Sequence, residues 1–469
     1  MWGFVQIPVA ATLHPFWIFD WSLLSTPEVP GCTIVLFMSG VLCSAAGIGG
    51  GGIYVAVLMV LGGISTHNAV PLSKAIVFFG AVASTVLNLR RQMEGSSTNG
   101  KAGINFEVCR LVVPMALSGT FLGVLLNFHV PAKVIVILLT CILCSMTVMV
   151  VRTAWKQHRA EEEKNQAELA GIDTEAETQP LMQRGRSSGH GSPPSSSSSS
   201  SAHAYEIQPL PAGQAHLSGL HSIADVNSKV TRETLTRSDV IISVLLILVV
   251  VVGGVLRFHM HACRAEKEGS GTTGSCRHPF VSTVFGGRME GWMESESLSF
   301  FLQHAVISLP LWSCAGLSLY YGRAARDYSG WKVQTIFVYQ LTALATGLLA
   351  GLVGIGGGLV FSPFFLLMGL EPHVAVATSS TCVLFTSSST TIQYLFTDRI
   401  MMSLALLYGM TTLLASWVGT SLVHILQDKF RAKRSYISWL VAAGVAISAG
   451  LTLAKLVRLV REGETATSM

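Results

Sequence analysis

The chain has 469 residues, of which 50% are hydrophobic and only 12% are charged, and its mean hydropathy is +0.53. Soluble globular proteins carry about 25% charged residues, so the composition excludes a soluble globular domain and predicts an all-α polytopic protein of the lipid bilayer. The net charge of +5 is small and the basic residues fall in polar loops, which excludes nucleic acid as a partner.

Residues 1–30 form an N-terminal segment with many aromatic side chains, including Trp2, Trp17 and Trp21. Aromatic residues concentrate at the boundary between lipid and water, so this segment is predicted to lie at the membrane interface. It has no basic stretch ahead of an apolar core, and a cleaved signal peptide is therefore not predicted.

Ten apolar runs follow, each long enough to form a helix of about 20 residues that crosses a bilayer. They lie near residues 32–62, 69–89, 108–128, 132–151, 239–256, 299–320, 335–368, 374–396, 401–424 and 435–457. The first and the seventh are longer than a bilayer requires, because a helix of 33 residues would be about 50 Å long against a hydrocarbon core of about 30 Å.

A polar segment, residues 153–237, separates the fourth run from the fifth and contains unbroken serine from Ser195 to Ser201. Such a composition cannot bury enough apolar surface to order itself, so a disordered cytosolic linker is predicted. The other predicted parts are a first transmembrane repeat at 31–152, two connecting spans with a polar loop at 238–332, a second repeat at 333–458 and a tail at 459–469.

The two halves share a motif. GIGGG at 47–51 matches GIGGG at 354–358, and HNAVPLSKA at 67–75 matches HVAVATSST at 373–381, with one extra glycine in the first copy. This pattern indicates a duplicated four-helix unit. If all ten runs cross the membrane, the two copies are parallel, since an inverted pair requires an odd number of crossings between equivalent points.

We predict that both glycine runs interrupt their helices, because glycine costs a helix about 1 kcal/mol per residue. Paired interruptions at membrane depth point to the substrate site of a transporter, and a helix that starts after each run would direct free N–H groups at an anion. The candidate residues are Gly49, Gly50, Gly51, Gly52, Gly356, Gly357 and Gly358. The alternative is that the glycines only allow helices to pack closely.

Lys74 lies at the start of the second predicted span, and no Asp or Glu falls in the interior of any predicted span. A site built from amides, hydroxyls and a lysine suits an anion, whereas a cation carrier usually needs a buried carboxylate. Ser73 and Ser379 are matched hydroxyls beside the two glycine runs and join the candidate site. Lys74 could instead extend to the membrane surface.

Two matched histidines, His67 and His373, begin the helix after each glycine run. They could carry protons near neutral pH, but the turn-like sequence before each one favours a capping role.

The nine cysteines include no CxxC pair. Cys141 and Cys144 lie in an apolar helix without a His or carboxylate partner, which favours packing over metal binding. Cys263 and Cys276 share a polar loop and could be bonded in an oxidising compartment. No cofactor and no metal site is predicted.

The distribution of Lys and Arg predicts the orientation, because cytosolic loops are enriched in both. With ten crossings and both termini in the cytosol, 20 basic residues lie on the cytosolic side and 10 on the other, Lys74 excluded. The loop QDKFRAKR at 427–434 violates this arrangement, since it would lie outside the cytosol.

At GIGGGG and HNAVPLSKAIVFFGAVASTVLNLRR in the first half, and GLVGIGGG and PHVAVATSSTCVLFTSSSTTIQYLF in the second, the sequence resembles the TauE/SafE family of sulfite exporter-like permeases. The resemblance covers about 30–152 and 239–458 and is closest to the eukaryotic branch, which has a polar insert between the halves.

This resemblance implies transport of sulfite, sulfonates or other small organic anions. It places the family's functional positions on the two glycine runs and on Ser73, Lys74, Asn88 and Arg90. The second copy departs from the pattern, with Ser380 in place of the lysine and Tyr394 opposite Asn88. Ser380 is therefore a candidate site residue that makes the two halves chemically unequal.

We therefore expect a secondary transporter for a small anion in an integral, multi-pass membrane protein. An anion channel with the same site, and a receptor or trafficking protein that uses the serine-rich linker, remain alternatives. An intramembrane enzyme is not expected, because the predicted spans contain no HExxH, no GxSxG and no paired carboxylates. The oligomeric state stays open.

Overall fold

The structure is a computed structural model that describes residues 21, 24, 26–45, 47–95, 103–182, 237–270, 296–397, 399–429 and 434–467. These residues form twelve α-helices and no strand, which confirms the predicted all-α class. The helices are α1 Glu28–Ala45, α2 Gly51–Val60, α3 Thr66–Gly95, α4 Phe106–Asn127, α5 Ala132–Met182, α6 Arg237–Ser270, α7 Glu296–Ser329, α8 Val333–Val353, α9 Gly358–Leu367, α10 Pro372–Phe396, α11 Met402–Lys429 and α12 Arg434–Thr467.

Seven of the described helices are long and apolar enough to cross a bilayer, judged by length and composition. Three shorter apolar helices accompany them, at 51–60, 241–256 and 358–367. Large apolar side chains point outward from many of these helices, for example Trp312 at 76% exposure and Ile34 at 65%. A surface of this kind requires lipid around it, so the chain is a polytopic membrane protein.

Both glycine runs interrupt a helix, as predicted. In the first half α1 ends at Ala45 and α2 begins at Gly51, and Gly49 and Gly50 between them have positive φ angles of 73° and 64°. In the second half α8 ends before Gly354, whose φ is 82°. Residues other than glycine rarely adopt this backbone conformation. The glycines therefore allow the chain to reverse direction at these two points.

Helix α11 runs parallel to α3. The Thr412 hydroxyl donates to the Ile76 carbonyl at 3.1 Å, and the Ser84 and Thr420 hydroxyls lie 3.2 Å apart. Residue numbers therefore rise together along the two helices. Since α10 and α11 are joined by a short connection, α10 runs antiparallel to α3.

Helix α11 also runs parallel to α1. A Cβ added to Gly40 would touch Ala415, and one added to Gly419 would touch the carbonyl of Val41. Helices α1 and α3 are therefore parallel to each other. The ten-residue α2 is about 15 Å long and connects the C-terminal end of α1 to the N-terminal end of α3. It must therefore run antiparallel to both helices.

The second half has the same arrangement. The backbone N–H of Asn105 donates to the Thr378 hydroxyl at 3.0 Å, and the sulfur atoms of Cys109 and Cys382 lie 3.8 Å apart, so α4 runs parallel to α10. Helix α4 also runs parallel to α8, since a Cβ on Gly119 would touch the carbonyl of Leu344 and one on Gly123 the carbonyl of Leu348. Helices α8 and α10 are therefore parallel, and α9 between them runs antiparallel to both.

Close packing between α4 and α8 explains that parallel pairing. Each helix carries two glycines four residues apart, Gly119 and Gly123 in α4 and Gly347 and Gly351 in α8. A Cβ at any of the four would come under 3.0 Å from backbone atoms of the other helix. Small residues at this spacing let two helices in a membrane approach to backbone contact.

The runs at 32–62 and 335–368 are therefore hairpins that enter and leave at the same end of the bundle, and the expectation that each crosses the membrane is wrong. Positive φ at the glycines reverses the chain where the sequence pattern alone suggested one interrupted crossing. Five crossings, α3 to α7, then separate the start of the first half from the start of the second. The two halves are inverted and not parallel, although the duplication itself stays a prediction.

The bundle has two distinct ends. We call the end where α1 and α3 begin and α12 ends the terminal end, and the end where α5 ends and α6 begins the linker end. At the linker end Arg110 in α4 forms a 2.6 Å ion pair with Asp239 in α6. At the terminal end the Arg399 guanidinium lies over the Phe128 ring, 5.4 Å from its centroid.

The predicted linker boundary differs from the structure. Helix α5 continues without interruption to Met182, well past residue 153. Residues 153–182 contain many strong helix formers such as Ala, Glu, Gln and Lys, which explains the extension. The serine run at 195–201 and Cys276 lie outside the described residues.

The inverted arrangement changes the expected orientation. The linker-end segments at 90–110, 152–237, 322–332 and 429–434 hold 20 Lys and Arg, whereas the terminal-end segments hold 10. The loop at 427–434, which violated the ten-crossing arrangement, now joins the basic side. We expect the linker end to face the cytosol and both chain termini to lie on the opposite side.

Epitope accessibility tests this expectation. One tag is inserted within the serine run at 195–201 and a second is fused to the C-terminus, in separate chains. After selective permeabilisation of the plasma membrane, the linker tag should be stained and the C-terminal tag of an intracellular pool should stay protected. Staining of both tags from the cytosol would contradict the inverted hairpins.

Candidate functional site

The two glycine turns pack directly against each other at the centre of the bundle. We call residues 47–52 and 354–358 together the glycine junction. A Cβ added to Gly51 would overlap the Gly356 backbone nitrogen, and one added to Gly358 would lie only 2.6 Å from the Ile48 carbonyl oxygen. The contact is thus backbone to backbone, and no larger residue fits at these positions.

Serine hydroxyls connect each half to the turn of the other half. The Ser73 hydroxyl donates to Val70 in its own helix at 2.7 Å and also approaches the Gly354 carbonyl at 3.2 Å. In the opposite direction, Ser379 approaches the Gly47 carbonyl at 3.3 Å. The matched serines of the two halves therefore make exchanged contacts, each with the first glycine of the partner motif.

Lys74 lies at the same junction. Its side chain is 2% exposed, and its Nζ donates to the Ile355 carbonyl oxygen at 2.8 Å. The group is buried against the second glycine turn and does not extend to the membrane surface. Within the described residues it forms no ion pair, and its ammonium group has more N–H donors than this one bond uses.

Both short helices start at the junction without a side-chain cap. Gly50 and Gly357 occupy the N-cap positions of α2 and α9, and neither has a side chain that can accept a hydrogen bond from the first turn. Their backbone carbonyls accept from the N–H groups of Tyr54 and Phe361 at 3.0 and 2.9 Å. The first N–H groups of a helix have no partner within the helix, and its dipole places partial positive charge at this end. Two positive helix ends and the Lys74 ammonium therefore converge on one region.

The remaining junction glycines are enclosed by side chains. A Cβ on Gly50 would clash with the Tyr54 ring, one on Gly52 would lie 3.0 Å from Leu143, and one on Gly357 would lie 3.0 Å from Phe361. Gly49 has more room, with its nearest neighbour Val383 at 3.5 Å. The glycines therefore allow close packing, and the same tight contact between the turns brings the two helix starts together.

Two predicted site residues lie apart from these contacts. The Ser380 hydroxyl, which stands where the first half has Lys74, donates to the Val376 carbonyl of its own helix at 2.9 Å. Asn88 lies about 21 Å further along α3 from Lys74, close to Gly103 near the linker end. The structure does not bring either side chain into contact with the glycine turns.

The matched histidines lie inside the first turn of their helices, one residue after α3 begins at Thr66 and α10 begins at Pro372. The Nδ1 atom of His67 is buried and has no hydrogen-bond partner among the described residues. The Nδ1 atom of His373 lies 3.4 Å from the Glu371 carboxylate. Glu371 is the N-cap residue of α10, so the expected capping role of His373 is wrong.

Three residues that sequence reasoning did not assign also hold the junction. The Ser362 hydroxyl donates to the Gly47 carbonyl at 2.7 Å. The Asn127 amide donates to Leu352 at 2.7 Å, and the Tyr394 hydroxyl donates to Gly351 at 3.0 Å. The last two side chains hydrogen-bond to carbonyls in the final turn of α8, just before the second glycine turn. Of the three residues, only Asn127 had a sequence signal, because it is an isolated polar residue in an apolar run.

The chain is similar to one family of membrane proteins over most of its length. The profile of the family described as "Sulfite exporter TauE/SafE" matches residues 32–181 and 235–447. These two ranges contain both glycine turns, both matched serines and Lys74.

Curated relatives carry the same description. Sulfite exporter TauE/SafE family protein 5 of Arabidopsis thaliana is 25% identical over 400 residues, which cover 83% of this chain and 75% of the relative. Family protein 3 of the same plant is 25% identical over 427 residues, covering 89% and 76%, and family protein 1 is 23% identical over 445 residues, covering 90% and 84%. No solved structure matches this chain significantly.

The contact between the turns makes a prediction about stability. Gly51→Ala should destabilise the protein by about 1–3 kcal/mol, the usual cost of forcing extra volume into a packed interior, because its Cβ has no space beside Gly356. The unfolding temperature in detergent measures this. Gly450→Ala is the matched control, because nothing lies within 4 Å of its added Cβ; equal unfolding temperatures for the two variants would contradict the packed junction.

Proposed function

Because the chain belongs to the sulfite exporter TauE/SafE family, we propose that it is a secondary transporter that carries a small sulfur-containing anion, such as sulfite or a sulfonate, across a membrane. The site is the glycine junction with Ser73, Lys74 and Ser379. The observation that carries the proposal is the Lys74 ammonium, buried without a carboxylate partner among the described residues and aimed at the point where two uncapped helices begin.

The chemistry of the site matches an oxyanion. A buried cation without a counter-ion is costly, and an anionic ligand would supply the missing charge. Sulfite and sulfonate groups present several oxygen acceptors on one sulfur, which can receive hydrogen bonds from an ammonium group and from helix N–H groups together. Charge-assisted bonds of this kind are about twice as strong as neutral ones.

The same arrangement disfavours a cation as substrate. The described parts of α3, α8, α9 and α10 carry no Asp or Glu near the junction, since Glu94 and Glu371 lie at helix ends. A cation at this position would meet a lysine and two positive helix ends, which repel it.

The inverted hairpins suggest how access alternates. The first hairpin enters from the terminal end of the bundle and the second from the linker end, and the two meet in the middle. Helix α2 leads back to the terminal end and α9 leads back to the linker end. Inverted halves can exchange conformations, so that the site opens first to one side and then to the other. Backbone contact across the junction leaves no room for an anion between the two turns themselves, which favours a carrier over an open anion channel.

Ser380 and Asn88 have a different place in this proposal. Ser380 leaves the second half without a counterpart to Lys74, so a single cation serves both directions of transport. Asn88 is buried on α3 between the junction and the linker end and would line the path on that side.

Uptake by proteoliposomes tests the proposed function. Wild-type protein should carry sulfite, and Lys74→Gln should reduce uptake at sub-saturating sulfite by about tenfold or more, because a hydrogen bond to a charged group contributes about 1.5–3 kcal/mol. Lys133→Gln is the matched control, since Lys133 is exposed at the start of α5. Sulfate, thiosulfate and taurine are tested in parallel to identify the preferred anion.

Each result has a distinct meaning. Loss of uptake in Lys74→Gln with retained uptake in Lys133→Gln supports the site. Equal uptake by both variants would remove Lys74 from the site, and absence of anion flux in the wild type would contradict the transporter. Electrical currents far above carrier turnover would instead favour the channel.

A further inference from the structure

A second group of basic side chains lies at the terminal end of the bundle, apart from the glycine junction. It consists of Arg399, in the connection between α10 and α11, and His67, in the first turn of α3. Both residues lie at the terminal end of the bundle, although they are far apart in the sequence. Neither residue belongs to the proposed central site.

Arg399 is held in place by its surroundings. Its backbone N–H donates to the Tyr394 carbonyl at 3.0 Å, and its guanidinium lies over the Phe128 ring, 5.4 Å from the centroid. Stacking on an aromatic face orients the planar guanidinium and leaves its edge available for a second interaction.

Arg399 and His67 each have a ring or guanidinium nitrogen without a hydrogen-bond partner among the described residues. The Nε atom of Arg399 and the Nδ1 atom of His67 are both buried, and neither has a partner among the described residues. Within those residues Arg399 also has no carboxylate within 4.0 Å, and burial lowers the pKa of its guanidinium. Buried polar atoms usually have a partner, so two such atoms at the same end of the bundle point to a ligand.

The pair is aligned with the site at the centre. His67 and Lys74 are seven residues apart, which places them on the same face of α3, about 10.5 Å from each other along the helix axis. On the other side, Phe128 contacts Tyr394, with ring centroids 6.2 Å apart, and Tyr394 binds the last turn of α8 just before the glycine turn. An anion that enters at the terminal end would therefore meet Arg399 and His67 before it reaches Lys74.

We propose that Arg399 and His67 form an outer subsite that binds the transported oxyanion at the terminal end and passes it to Lys74. This inference rests on the proposed function for the identity of the anion. A guanidinium can hold two oxygens of one oxyanion through parallel N–H bonds, and the His67 ring can donate a further one. The subsite has no symmetry mate of the same chemistry, because the matched His373 already lies beside the Glu371 carboxylate.

The kinetic test separates capture at the outer subsite from transport through the centre. Arg399→Gln should raise the KM for sulfite uptake about tenfold and leave the maximal rate within about twofold, because the outer subsite supplies affinity and the central site is intact. Arg399→Lys should give an intermediate KM, since it keeps the charge and loses the planar pair of donors. Arg323→Gln, at an exposed position of α7, is the matched control and should match the wild type.

The preceding residue, Asp398, lies outside the described residues and provides an internal check. If its carboxylate neutralises Arg399, then Arg399→Gln should have no effect and Asp398→Asn should lower the KM, and this pair of results would overturn the subsite. An unchanged KM in both variants would overturn it as well. A loss of maximal rate without a change in KM would assign Arg399 to the conformational change instead.

A binding readout keeps the subsite distinguishable from the transport proposal. The unfolding temperature of purified Lys74→Gln protein is measured with increasing sulfite and with increasing sulfate. Either anion should still raise it, because the outer subsite is intact, and addition of Arg399→Gln should remove that rise. If the anions raise the unfolding temperature as expected but the wild-type protein shows no anion flux, only the transporter proposal is overturned. If the wild-type protein shows flux but no anion raises the unfolding temperature of Lys74→Gln, only the subsite is overturned.

Discussion

The backbone contact between the two glycine turns is the constraint on which the rest of the molecule depends. Gly51 and Gly356 meet without any side chain between them, and this is possible only because each turn reverses its chain and returns as a short helix. The reversal converts two apparent membrane crossings into hairpins. That change inverts one half of the chain relative to the other and brings two helix starts together in the interior of the bundle.

One cation gives this junction its chemical character. Helix ends, serine hydroxyls and glycine amides are polar but neutral, and several of their groups are already occupied by bonds between the halves. Lys74 adds a basic side chain in the same place, and its hydrogen bond to Ile355 couples it to the turn of the other half. A ligand that replaces this carbonyl as the partner of Lys74 would loosen the contact between the halves, which links binding to the conformational change of a carrier.

Much of this arrangement could be predicted from the sequence. Apolar runs identified the helices, and matched glycine runs identified both interruptions, because few residues other than glycine adopt positive φ. The direction of the chain after Gly50 and Gly354 could not be predicted, since a break and a reversal leave the same local pattern. Contacts between distant segments, such as Ser362 with Gly47 and Asn127 with Leu352, depend on the tertiary arrangement and leave no mark in local sequence. The extension of α5 to Met182 was missed because a charged helix and a disordered linker have similar composition.

The most direct test of the account is an experimental structure of the protein at saturating sulfite, compared with one determined without it. We expect density for the anion within hydrogen-bonding distance of Lys74 Nζ, with the ammonium displaced from the Ile355 carbonyl and facing the starts of α2 and α9. A structure in which Lys74 keeps its bond to Ile355 while the anion occupies a cavity away from both glycine turns would contradict it.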